Sequence, residues 1–143
     1  MTSLLLLFGM FYAACGLVLS LAMNVTSFTS VKLGDSILFP ALTWGIFPAF
    51  LAVILISISE RKRPRSANHE IDEWELVSAG CPTLMKRIFW TCFAYAWVTG
   101  MALAILTHEP NLILRCISAF WMTFYALGLA VITAAYLRRR APQ

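Results

Sequence analysis

Residues 37–65 read ILFPALTWGIFPAFLAVILISISERKRPR, and the fold class turns on that stretch. From Ile37 to Ser59 no residue carries a charge, and then Glu60, Arg61, Lys62, Arg63 and Arg65 arrive together. At about 1.5 Å per helical residue, such a run covers the roughly 30 Å of hydrocarbon in a bilayer. Backbone groups in hydrocarbon find no water to bond, so the run must be a helix. The basic cluster that closes it reads as a stop-transfer flank rather than a targeting signal.

Three further stretches share the pattern. Leu4–Met23, Ile88–Thr107 and Cys116–Leu137 contain no Asp, Glu, Lys, Arg or His. Between the last two, Pro110 stops one helix and Asn111 caps the next, which starts at Leu112. Hydrophobic residues make up 60% of the chain and charged residues 13%, about half the charged share of a soluble domain. A globule of 143 residues has too little interior for so much apolar surface, and lipid is the economical partner for the excess. The expectation is an all-α integral membrane protein. It forms a four-helix transmembrane bundle in one domain (1–143), with spans at 4–23, 37–59, 88–107 and 112–137. The loops are short, and loop 60–87 holds one short cytoplasmic amphipathic segment.

Charge sets the orientation. Nine of the eleven basic residues lie in loop 60–87 or at Arg138–Arg140, leaving Lys32 and Arg115 on the other side. The positive-inside rule puts loop 60–87 and both termini in the cytoplasm, in a bacterial inner membrane. The first span rivals a signal peptide through Ser20-Leu21-Ala22, but it lacks a basic start and runs long, so a retained helix is expected. The net charge of +4 sits beside apolar segments, which argues against a nucleic-acid partner. Asn24-Val25-Thr26 matches the glycosylation pattern and is read as chance.

Function leaves few marks. No catalytic, cofactor or metal constellation is legible: His69 and His108 fall on opposite sides, and no Cys pair has redox or zinc spacing. Apart from Arg115, one turn into the fourth span and able to snorkel outward, no Asp, Glu, Lys, Arg or His sits inside a span, where pumps and coupled carriers keep theirs. Three features remain. On the third span Cys92, Ala96, Gly100 and Ala104 recur every four residues, a ladder that admits a close helix, inside the chain or from a partner. In loop 60–87, Ile71, Trp74 and Val77 fall at i, i+3 and i+6, one apolar face of a short helix for protein contact. On the second span Pro48, with Gly45 before it, removes a backbone bond near the midplane, where carriers often place a break. The chain is therefore expected to be non-catalytic, without a cofactor. Its expected role is accessory, assembly or scaffold subunit, bound to the bilayer and to a membrane-protein partner or further copies of itself. The rival is a channel or carrier for a neutral or apolar solute built around Pro48.

Overall fold

In the computed structural model, residues 3–28, 37–61, 74, 78–105 and 110–140 are described. Four helices carry nearly all of them: α1 (Ser3–Thr26), α2 (Leu38–Arg61), α3 (Thr83–Ile105) and α4 (Pro110–Arg140). Three segments are long and apolar enough to cross a membrane, Ser3–Thr26, Leu38–Ser59 and Leu112–Arg140. α3 is only partly apolar, with Lys86 and Arg87 in its first turns and Thr91, Tyr95 and Thr99 among its apolar residues.

The helix ends follow from local chemistry. The last turn of α1 is closed by hydroxyls, Thr26 donating to the Met23 carbonyl (2.9 Å) and Ser27 to that of Asn24 (2.6 Å). The Ser27 N–H is shared between the same two carbonyls at 3.1 Å each, a three-centre bond of the kind common at helix ends. Pro40 falls in the first turn of α2, where its missing N–H is no loss. Gly80 turns the chain into α3 with φ +79°, a left-handed conformation that a Cβ disfavours. The Pro82 carbonyl then accepts from Met85 (3.0 Å) and Lys86 (3.3 Å). α4 begins at Pro110 itself rather than after a cap at Asn111, because the fixed φ of proline suits a first helical position. It runs on to Arg138–Arg140, whose charges favour a helix C-terminus.

α4 is the hub. Of its apolar stretch 61% is buried, against 22% in each of α1 and α2. It packs on all three other helices, and α1 also packs on α2. α4 runs antiparallel to α1 and α3 and parallel to α2. Leu6 near the start of α1 meets Ile56 late in α2 and Ile132 late in α4, while Met23 at the other end meets Leu42 and Trp121.

The seam of α1 explains that fit. Leu6, Ala13, Ser20 and Ser27 are buried at seven-residue intervals, interleaved with Gly16 and Met23. A seven-residue repeat keeps one stripe of a helix facing one neighbour, and small residues on that stripe let backbones approach. Where three helices cross, a Cβ on Gly128 of α4 would sit 3.8 Å from that of Ala13 and 3.6 Å from that of Ala49. Outward, the bundle shows Leu4, Phe8, Phe11, Trp44, Phe47 and Leu51 among many large apolar residues, all more than half exposed.

Candidate functional site

The most constrained point of the molecule lies where α1, α2 and α4 meet. Tyr125 of α4 is 2% exposed, and its ring lies against Gly16 of α1 on one side and its hydroxyl against Gly45 of α2 on the other. A Cβ on Gly16 would fall inside contact distance of the ring, 2.6 Å from its Cζ, and one on Gly45 would collide with the Tyr125 hydroxyl. The Tyr125 hydroxyl donates to the Leu42 carbonyl at 3.0 Å. Tyr12, edge-on to Tyr125 with centroids 6.3 Å apart, donates to the Gly45 carbonyl at 2.8 Å.

Both hydroxyl protons are thus committed to α2 backbone one to two turns before Pro48. α2 itself runs as a helix through Pro48. Proline has no N–H for the Trp44 carbonyl, so the helix is weakest where the two tyrosines hold it. Beside this clasp, α1 and α2 leave an apolar groove of about 480 Å³, walled by Leu5, Phe8, Tyr12, Pro48 and Leu55 among others. A smaller groove of about 200 Å³ lies beyond the clasp, by Cys15, Leu19 and Leu38. Tyr12 borders both. No hydroxyl of α3 turns to this cleft. Thr99 bonds the Tyr95 and Ala96 carbonyls of its own helix, and Tyr95 bonds Asn24.

That last bond belongs to a polar cluster the sequence reading overlooked. Asn24, 5% exposed, receives the Tyr95 hydroxyl on Oδ1 at 2.9 Å. Its Nδ2 donates to Ser118 Oγ at 2.9 Å and to the Arg115 carbonyl at 3.2 Å. One amide therefore ties α1, α3 and α4 together. An amide nitrogen so placed is not presented to a glycosylating enzyme.

The α3 ladder does not stay on one face. Cys92 is buried with Phe89, Met122 and Ala126, and Ala96 is half-buried beside a groove of about 280 Å³ between α3 and α4. A Cβ on Gly100 would meet nothing within 4 Å. The side chain of Ala104 lies outside the described residues. The cause is geometric: at 3.6 residues per turn, a four-residue step drifts about 40° around the helix. By Gly100 the ladder has turned off α4, and the buried positions are instead Cys92 and Thr99, seven apart. No described residue makes the close approach expected at Gly100.

Of the loop face, Ile71 and Val77 lie outside the described residues. Trp74 stacks on Phe89 (centroids 4.8 Å apart, rings 28° from parallel) and meets Trp90 edge-on. Cys81 is buried against Ala130 and Ala134. Its thiol is pushed above the usual range by that burial, against a smaller opposing pull from Lys86. The thiolate is the reactive form, so maleimide labelling of Cys81 is expected to be slow at neutral pH and to rise at higher pH than for an exposed thiol. A topology experiment therefore needs an exposed site, Ala79→Cys in a Cys81→Ser background. Labelling of that site in intact cells by a reagent that cannot cross membranes would reverse the orientation expected above.

Among the described residues no group of three His, Cys, Asp or Glu is close enough to hold a metal. Compared with protein families, curated proteins and solved structures, the chain matches none.

Proposed function

We propose that the chain spans a bacterial inner membrane four times with both termini in the cytoplasm. In this reading it is a non-catalytic accessory or assembly subunit that receives a partner helix on the outer face of α3. The observation that carries this is Gly100, a small residue at the surface of α3 with open space where its side chain would be. Exposed Trp97, Val98 and Met101 surround it. Small residues beside large apolar ones let a second helix approach to backbone distance. That α3 too crosses the membrane is supported by the same face: Trp90, Trp97, Val98 and Ile105 are all more than half exposed, which suits lipid and not water. Lys86 and Arg87 then stand at the same end as Arg138–Arg140, as antiparallel pairing and the positive-inside rule both ask.

Gly100→Leu tests this. With nothing to collide with, the isolated chain in detergent should melt within about 0.5 kcal/mol of the original, as a surface change does. Association, read by co-purification from mild detergent and by the mass of the complex, should fall. Undiminished association in the variant would remove α3 as the partner face.

The groove beside Pro48 favours a second reading, a carrier for an apolar solute. Pro48→Ala decides between them. The clasp bonds come from Tyr12 and Tyr125, so the substitution should be tolerated, and it removes a residue that costs about 3 kcal/mol in a helix interior in water. A solute flux in reconstituted vesicles that disappears with Pro48→Ala would favour the carrier.

A further inference from the structure

Arg115 stands apart from every other basic residue described. It lies five residues into α4, at the end opposite Arg138–Arg140. Its side chain leans back toward the helix start, as helical side chains do, and reaches the end of α1. There the guanidinium lies over the Phe28 ring, 3.9 Å from its centroid, and Nη2 reaches the Ser27 carbonyl at 3.4 Å. Nε is buried without an acceptor. A guanidinium carries five N–H donors and no acceptor, so one long bond leaves most of its capacity unmet.

The polar groups behind it are already engaged with one another. Asn24 Oδ1 is taken by Tyr95. The Arg115 carbonyl and Ser118 Oγ accept from Asn24, and Ser118 donates back to its own helix at the Leu114 carbonyl. The start of α4 is itself the positive end of a helix dipole, which disfavours a cation and favours an anion. The site is thus doubly positive, covered on one side by an aromatic ring and held in one orientation from below. In the four-span arrangement, on which this inference rests, Arg115 lies within about 8 Å of the helix start, at the depth of lipid headgroups. Phe28 (61% exposed) and Ile113 (53%) flank it outward, as apolar neighbours of an acyl chain.

We infer that Arg115 binds the phosphate of a lipid headgroup in the leaflet opposite the Arg138–Arg140 end. The planar fork matches phosphate oxygens two at a time, and the headgroup supplies the negative charge that no described residue brings to it.

The test uses the full chain in dodecyl maltoside, titrated with dodecyl phosphate and followed by its melting temperature. The original chain should gain stability, with a midpoint that moves about tenfold or more higher in Arg115→Gln, the ratio that 1.4 kcal/mol represents. Arg140→Gln should move it little. Arg115→Lys keeps the charge and loses the fork, so a midpoint between the two is expected; should Arg115→Gln not fold, a Lys variant equal to the original overturns the site. An unchanged midpoint in a folded Arg115→Gln overturns it outright. Inorganic phosphate giving the same Arg115-dependent gain would assign the site to free phosphate and overturn the lipid source. The readout is made on the isolated chain in detergent, so it does not depend on whether α3 receives a partner or on which side the termini lie.

Discussion

Gly16→Ala should destabilise the bundle by about 1–3 kcal/mol, the usual penalty of overpacking, although a single methyl group is added. Alanine is the better helix former by up to about 1 kcal/mol in water, so propensity alone predicts the opposite sign. The collision with the Tyr125 ring decides it, because that ring is enclosed on its far side by Gly45 and cannot retreat. Gly45→Ala should behave alike, displacing the Tyr125 and Tyr12 hydroxyls from the carbonyls they hold. The other helix glycines provide the contrast. Gly9 would touch the Ile132 Cδ1 tip at 3.3 Å, and a flexible tip can give way. Gly128 has ordinary contact distances, and Gly100 has open space. The expected order of stability for the alanine variants, by reversible unfolding in mixed micelles, places Gly16 and Gly45 lowest, Gly9 between, and Gly128 and Gly100 at or above the original. In a Tyr125→Ala background the cost at Gly16 should vanish, since neighbours in contact are not additive. A Gly16→Ala penalty that persists there would show that the ring is not its cause.

The apolar runs at 4–23, 37–59 and 112–137 were legible as helices because bilayer thickness and the backbone's need for bonds leave no other choice. α3 was legible as a helix and was read as a span at 88–107, but the helix that forms is only partly apolar, since Lys86, Arg87 and three hydroxyl residues dilute it. The packing was legible only in part. A ladder at every fourth residue is conspicuous in a sequence, yet it winds around the helix, whereas the seam of α1 repeats at sevens and mixes Leu, Gly, Ala, Ser and Met. Pairs from that seam, Gly9 with Ala13 and Gly16 with Ser20, can be picked out; their true neighbour cannot, because it depends on α4 lying alongside in a particular register. Tyr125 carries no sequence mark at all. It matters because two glycines on two other helices make room for it, and that coincidence exists only in three dimensions. Asn24 was hidden differently. A polar residue directly after an apolar run looks like the start of a loop, but α1 continues to Thr26. The available signal was depth: Asn24 lies close to the end of α1 and Ser118 near the start of α4, so antiparallel neighbours bring the two to one level.

Asn24→Ala is expected to lower stability by about 2 kcal/mol or more. Hydrogen bonds between membrane helices average about 0.6 kcal/mol and reach about 1.7 kcal/mol, and Asn24 makes three to other helices. The sum understates the loss, because the variant leaves the Tyr95 hydroxyl beside a methyl group, and an unsatisfied buried group costs more than a bond gains. Tyr95→Phe and Ser118→Ala remove one leg each and should cost less, roughly the range of a single bond. The distinguishing measurement is the pairing. Asn24→Ala combined with Tyr95→Phe should cost clearly less than the two separately, because the Phe variant removes the donor that Asn24→Ala strands. The damage should also be located. α3 packs chiefly on α4, and the Tyr95 bond reaches across to α1, so amide exchange should speed up in the half of α3 beyond Tyr95 while the Leu6–Ile132 end of the bundle stays protected. Uniform exchange along all four helices, or additivity in the double variant, would mean that Asn24 fills space without joining the helices. A localised loss would place the main internal joint of α3 at one amide, close to the face on which the partner helix is proposed to sit, so that ordering this amide and seating the partner would be coupled events.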